Sequence, residues 1–78
     1  MHDFQWALTE LKAGREVARA GWNGKGMSLK AHWPEPNGRT TQPYIAIKTV
    51  TADVIPWTVS QADVFADDWG PAVSNPSP

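Results

Sequence analysis

The 78-residue chain contains no cysteine, which restricts the ways in which so small a fold can be stabilised. At this length a single core supplies only about 3–5 kcal/mol, so small domains commonly rely on disulfides, a structural metal or oligomerisation. Disulfides are excluded here. His2 and His32 lie far apart in sequence, and neither has a cysteine or carboxylate at the spacing of a zinc site. We therefore expect a homo-oligomer.

Composition and charge exclude several classes of partner. Seven basic and eight acidic residues give a formal net charge of −1, whereas DNA- or RNA-binding domains need a basic surface. The hydrophobic fraction of 41% suits a folded domain. No apolar run has the length of a signal peptide or membrane span. The sequence thus predicts an intracellular protein that binds neither nucleic-acid polymers nor membranes.

The first segment has the pattern of a helix. Asp3 can cap its N-terminus, Gly14 can end it, and apolar residues recur between them at helical spacing, at Phe4, Ala7, Leu8 and Leu11. Trp6 falls to one side of this stripe. It either widens the core stripe or faces a partner subunit, and the sequence does not decide between the two.

Four short segments have strand character, and Pro56 should confine the last of them to a sheet edge or a strand end. They are residues 15–20, 27–33, 44–50 and 54–57. The second and third are joined by a long loop from Pro34 to Pro43. Trp33 and Trp69 are interpreted as core residues, whereas Tyr44 could face either way.

A second, short helix is expected after Ser60, whose hydroxyl can cap it. Asp63 stands at the capping-box position, and Val64 and Phe65 supply the apolar side chains of the turn. The predicted architecture is α+β, with a small antiparallel sheet of three to five strands, an N-terminal helix and a short C-terminal helix. One domain spans residues 1–70, and residues 71–78 are expected to form a flexible tail.

The search for catalytic or metal-binding residues finds no pattern. Neither histidine belongs to a triad, and no phosphate-binding loop or dinucleotide fingerprint is present. Asp63, Asp67 and Asp68 could form an acid–base centre. We favour the alternative, in which Asp63 caps a helix and the other two are solvated. The protein is therefore predicted not to be an enzyme.

The first candidate binding segment is the glycine-rich turn Gly21–Gly26. Its glycines allow close backbone approach to a ligand, and Arg19 and Lys25 can neutralise phosphate charge. Trp22 offers a planar face for a base, and Asn23 offers an amide for a base edge or ribose. The alternative is a turn whose tryptophan fills the core.

The second candidate segment contains Trp57, Ser60, Gln61 and Asp63. An aromatic residue followed by polar residues at a helix start can present donors to an anionic ligand. The alternative here is a buried tryptophan beside an ordinary helix cap.

Four ordered blocks of the sequence resemble the Thoeris anti-defence two family of small phage proteins. They are Arg19–Met27, Pro43–Ile45, Pro56–Asp63 and Ala66–Trp69. In the Thoeris defence, a TIR-domain enzyme converts NAD into a cyclic ADP-ribose isomer that activates an effector and kills the infected cell. The resemblance implies a sponge in the cytoplasm of the infected bacterium, which holds the signal, glyco-cyclic ADP-ribose, intact and needs no cofactor.

The resemblance also implies a homotetramer built as a dimer of dimers, with ligand pockets at subunit interfaces. Some members of the family also bind cyclic di- or trinucleotides of CBASS defence at separate sites. Matching the blocks carries a ligand-binding role to Trp22, Asn23, Gly24 and Lys25 in the first, and to Trp57, Ser60, Gln61 and Asp63 in the second.

From their chemistry, we expect Trp22 against the adenine and Arg19 or Lys25 near the pyrophosphate. Asn23, Gln61 or Asp63 are expected on ribose hydroxyls. Three other functions remain open from the sequence: a sponge mainly for cyclic oligonucleotides, an enzyme that cleaves such nucleotides, and an interaction protein that binds no ligand.

Overall fold

The computed structural model describes residues 1–22, 26–38 and 41–72. In these segments the helices are α1 (Phe4–Lys12) and α2 (Gln61–Phe65), and the strands are β1 (Val17–Arg19), β2 (Ser28–His32), β3 (Tyr44–Lys48), β4 (Val54–Pro56) and β5 (Trp69–Pro71). The strands form one antiparallel sheet in the order β4-β3-β2-β1-β5. This confirms the predicted α+β class, the antiparallel sheet and both helices.

Helix α1 begins and ends where its capping residues predict. The Asp3 carboxylate accepts a hydrogen bond from the Trp6 backbone N–H at 3.0 Å, which satisfies one of the free donors of the first turn. Beyond the last turn, Gly14 has a φ of 89°, a conformation that glycine adopts without steric cost. Trp6 is partly buried and stacks on His2 with ring centroids 4.1 Å apart.

The core lies between α1 and one face of the sheet. Ala7 and Leu11 of α1 are buried against Val17, Leu29 and Trp69, which come from three different strands. Ile45 and Ile47 of β3 extend the same apolar face. Alternation places Ser28, Ala46 and the exposed Lys30 and Lys48 on the opposite face, which is largely polar.

The strands are shorter than predicted at most of their ends. Pro56 lies in β4, an edge strand of the sheet, as expected for a residue that cannot donate to a ladder.

The predicted tail at 71–78 was wrong at its start. Pro71 pairs with Val17 in β5, and the Ala72 N–H donates to the Glu16 carbonyl at 3.1 Å. Residues 73–78 lie outside the described part of the chain.

Trp33, which was expected in the core, is exposed instead, and so are the two apolar side chains of α2. Trp33 is 52% exposed because it lies just beyond the end of β2, and Val64 and Phe65 of α2 are 38% and 82% exposed. Helix α2 has only five residues, so it lacks the length to bury a continuous apolar stripe. Neither described helix is long and apolar enough to cross a membrane.

Candidate functional site

The two predicted binding segments meet at Trp69. Arg19 ends β1, and Trp22 ends a short 3-10 turn that follows it, Ala20–Trp22. Trp57 comes directly after β4, whereas Ser60 caps α2 and Gln61 and Asp63 lie within it. The predicted ligand residues Asn23, Gly24 and Lys25 lie outside the described residues.

Trp69 is the centre of an aromatic cluster. It is fully buried, and its indole N–H donates to the Asp63 carbonyl at 3.0 Å. The rings of Trp22 and Trp57 both meet it edge-on, with centroid distances of 5.5 and 6.3 Å. Phe4 of α1 lies 5.5 Å from the same ring. Such edge-to-face pairs are favourable beyond the apolar area that they bury.

Trp22 and Trp57 combine features of both interpretations that the sequence left open. Each packs against the core cluster, and each is only partly buried, so part of its ring surface stays accessible. Both rings therefore pack against Trp69, and both residues remain partly exposed. Gln61, in the neighbouring helix α2, is exposed.

A cluster of charged side chains joins Arg19, at the end of β1, to the C-terminal segment. Arg19 Nη1 lies 2.8 Å from Asp63 Oδ1, and Arg19 Nε lies 2.7 Å from Asp68 Oδ1. The three side chains are only 22%, 13% and 20% exposed, respectively. One guanidinium thus faces two carboxylates, and the cluster carries a formal charge of −1.

Arg19 and Asp68 each stabilise the charged form of the other. The hydrogen bond from Arg19 lowers the pKa of Asp68, a shift that partial burial opposes and the Gly21 N–H supports. Hydrogen bonds to Asp68 and then Asp63 raise the pKa of Arg19. Arg19 and Asp68 are therefore both charged at neutral pH.

The charge balance favours a structural role for Arg19. A pyrophosphate beside it would also meet the carboxylates of Asp63 and Asp68, and the net negative charge would oppose binding. Of the two residues expected near a pyrophosphate, this leaves Lys25 as the better candidate, and Lys25 lies outside the described residues.

Asp63 is also occupied at the start of α2. Its backbone N–H donates to Ser60 Oγ at 3.1 Å, while the Ser60 hydroxyl donates to Asp63 Oδ2 at 2.9 Å. The predicted cap at Ser60 is confirmed. Both carboxylate oxygens of Asp63 have partners, Arg19 on one and Ser60 on the other, so Asp63 serves first to hold α2 against β1.

Asp67 and Asp68 were both expected to be solvated, and only Asp67 is. Asp67 is exposed, but Asp68 is bound to Arg19 and is not a solvated surface residue. Sequence reasoning missed this role, although a signal existed: Asp68 precedes a tryptophan already assigned to the core. A carboxyl with a lowered pKa is a poor proton donor or acceptor near neutral pH.

The described part of the chain includes three cavities. One of about 370 Å³ lies beside Arg19 and Asp68 and is also lined by Met1 and His2. An apolar cavity of about 360 Å³ lies at the opposite end of the sheet, beside Trp33 and Tyr44. A third of about 230 Å³ lies on the polar face. Trp22 and Trp57 line none of these three. Among the described residues, no group of three His, Asp or Glu side chains could hold a metal ion.

Comparison with known proteins gives a consistent result over nearly the whole chain. The family model of the Thoeris anti-defense 2-like domain matches residues 2–71. The chain is also 35% identical to the Thoeris anti-defense 2 protein of Bacillus phage SP01 over 79 aligned positions, which cover 85% of this chain and 89% of the phage protein. Both segments that converge on Trp69 fall within the matched range. The protein therefore belongs to the Thoeris anti-defense 2-like family.

Proposed function

We propose that the protein is a phage immune-evasion sponge that sequesters a TIR-derived cyclic ADP-ribose signal, glyco-cyclic ADP-ribose, without cleaving it. By removing the signal in the cytoplasm of the infected bacterium, it blocks activation of the Thoeris effector. The observation that carries this proposal is the convergence on Trp69 of two of the four segments by which the chain resembles its family.

The chemistry of the site suits such a ligand. The accessible surface of Trp22 can stack on the adenine, an interaction measured at about 1–3 kcal/mol per base in single-strand complexes. Exposed Gln61 can hydrogen-bond ribose hydroxyls, and Asn23 and Lys25 supply an amide and a cation in the same segment as Trp22. Arg19 and Asp63 hold the two segments together.

A second subunit would complete this site. Trp22 and Trp57 are only partly buried in the single chain, and the charged cluster beside them is net negative, whereas a tight nucleotide site buries the base and neutralises the pyrophosphate. We propose a homotetramer, a dimer of dimers, in which pockets at subunit interfaces enclose the ligand. Oligomerisation would also stabilise a domain too small to rely on its own core.

The proposed mechanism is stoichiometric binding and not catalysis. Asp63 and Asp68, which could in principle activate water, are both bound to Arg19. A sponge must instead bind tightly, because it competes with the effector for the signal. At micromolar signal, a nanomolar dissociation constant is needed, which corresponds to about −12 kcal/mol.

Calorimetric titration of the full-length protein with purified glyco-cyclic ADP-ribose tests the proposal. The complex is then denatured by heat, and the released small molecule is analysed by mass spectrometry. We expect nanomolar binding and quantitative release of unchanged ligand. Recovery of a cleaved product would identify an enzyme, and the absence of binding would reject this ligand.

Two matched variants assign the site. Trp22→Leu keeps apolar packing on Trp69 but removes the aromatic face, and we expect at least a tenfold loss of affinity with the oligomer intact. Trp33→Leu, at the opposite end of the sheet, should bind as the wild type does. Dissociation of the oligomer by Trp22→Leu would instead favour a structural interface. Competition with cyclic di- and trinucleotides determines whether they displace the signal or bind separately.

A further inference from the structure

The Asp68 carboxylate contacts the turn that carries Trp22 as well as Arg19. Its Oδ1 accepts from Arg19 Nε, and its Oδ2 accepts from the backbone N–H of Gly21 at 2.8 Å. Arg19 Nη2 lies 3.4 Å from the same Oδ2. One carboxylate thus holds the strand end and the backbone immediately before Trp22.

Gly21 leaves the space that this contact occupies. A Cβ at this position would lie 3.0 Å from Asp68 Oδ2 and 3.3 Å from Arg19 Nη2, so one or both side chains would have to shift by a few tenths of an ångström. A Cβ at Gly70, on β5, would have no such neighbour within 4 Å. The close approach of the carboxylate to the backbone therefore distinguishes Gly21 from Gly70.

The rest of the turn is fixed from the same segment. The Ala20 N–H donates to the Asp68 carbonyl at 3.0 Å, and the Trp22 ring meets Trp69 edge-on at 5.5 Å. Residues 20–22 are thus bound at successive positions by residues 68 and 69. The backbone before Trp22 and the Trp22 ring are therefore both in contact with the same C-terminal segment.

We propose that Asp68 is a positioning residue that fixes the orientation of Trp22 for ligand stacking, acting through the Gly21 N–H. This inference rests on the proposed function, in which Trp22 stacks on the adenine. A ring already held in place loses less conformational entropy on binding, so the tether contributes to affinity without touching the ligand.

Asp68→Asn tests the inference because it removes the charge while keeping nearly the same shape. The matched control is Asp67→Asn, an adjacent and exposed aspartate that undergoes the same chemical change. The oligomer is labelled with ¹⁵N-glycine, which gives signals from only six residues, and loss of one signal in Gly21→Ala assigns Gly21. A second sample labelled with ¹⁵N-tryptophan gives the indole signals, and loss of one signal in Trp22→Leu assigns Trp22.

In Asp68→Asn we expect at least tenfold faster hydrogen exchange at Gly21, a shifted Trp22 indole signal, and about tenfold weaker binding of glyco-cyclic ADP-ribose. Asp67→Asn should match the wild type within twofold. Unchanged Gly21 exchange and an unchanged Trp22 signal would overturn the inference. So would wild-type affinity in a variant whose Gly21 amide is freed, since a merely stabilising role predicts that result.

If Asp68→Asn does not fold, Gly21→Ala gives the same test without altering any charge, with Gly70→Ala as its control. Gly21→Ala should shift the Trp22 indole signal and weaken binding, and Gly70→Ala should do neither. A wild-type protein that binds no cyclic ADP-ribose would contradict the proposed function. In that case the Gly21 and Trp22 signals still decide whether Asp68 holds the turn.

Discussion

Two tryptophans that the sequence assigns to the core have opposite environments. Trp69 lies on an edge strand and is nevertheless fully buried, whereas Trp33, just beyond the end of a central strand, is 52% exposed. Trp69 is in contact with the rings of Phe4, Trp22 and Trp57, and its indole N–H donates a hydrogen bond to the Asp63 carbonyl. Trp33 lines an open apolar cavity beside Tyr44. Strand position alone therefore does not determine burial; the elements that fold over the strand do.

The two ends of the sheet consequently differ in what holds them. At the Trp69 end, aromatic packing is combined with ion pairs and backbone hydrogen bonds that join β1, the following turn and α2. At the Trp33 end, the described side-chain contacts are mainly apolar, and they leave Trp33 half exposed. We therefore expect substitutions at Trp69 to cost more stability than substitutions at Trp33.

The largest expected difference is in the free energy of unfolding. Trp69→Ala should cost about 3–5 kcal/mol, because it removes a buried ring and leaves a cavity among three others. Trp33→Ala should cost less than about 1 kcal/mol, since the ring is already half in water. Denaturant titration at fixed protein concentration measures both. Equal losses would contradict the comparison.

Removing the Asp68 carboxylate should have the next largest effect. We expect Asp68→Asn to cost about 1.5–3 kcal/mol at pH 7, the range for a hydrogen bond to a charged group, and Asp67→Asn to cost almost nothing. Thermal or chemical unfolding of the pair measures this. Similar losses in the two variants would show that the ion-pair cluster does not stabilise the Trp69 end.

The same carboxylate predicts the pH dependence. The pKa of Asp68 is lower in the folded protein than its ordinary value of 3.8, so its contribution is present above pH 3.8 and is lost as the pH falls below that value. Unfolding titrations between pH 7 and pH 2 should show a smaller loss of stability in Asp68→Asn than in the wild type. Parallel curves would indicate that the pKa of Asp68 is the same in both states.

Gly21→Ala should destabilise the protein by up to about 1 kcal/mol, because the new Cβ requires the Asp68 carboxylate to shift by a few tenths of an ångström. Gly70→Ala meets no atom within 4 Å and should be nearly neutral. A shift in melting temperature distinguishes the two variants. If Gly70→Ala were the more damaging, the close packing at Gly21 would not be a constraint.

The smallest effect on stability is expected from Trp33→Phe, within about 0.5 kcal/mol of the wild type. The informative measurement is fluorescence quenching by acrylamide. Trp33→Phe should remove a larger share of the quenchable emission than Trp69→Phe, because Trp33 is exposed in the single chain. Protection of Trp33 would show instead that another subunit covers this end of the sheet.

Local signals in the sequence were sufficient for the helices and for most strands. Asp3 and Gly14 mark the ends of α1, and Ser60 marks the start of α2, because caps act on the backbone within a few residues. Pro56 correctly indicated an edge strand. The start of the predicted tail was wrong, because the pairing of Pro71 with Val17 joins residues far apart in sequence.

For the candidate site, the sequence identified the two segments but not how their residues are used. Trp22, Trp57 and Asp63 were recognised by residue type and by a family resemblance that the comparisons confirm. That Arg19 neutralises aspartates, that Asp68 holds Gly21, and that Trp33 stays exposed followed only from the tertiary structure. Charge compensation and burial depend on which chain segments meet, and a strand pairing such as Arg19 with Trp69 brings together residues that no local pattern connects.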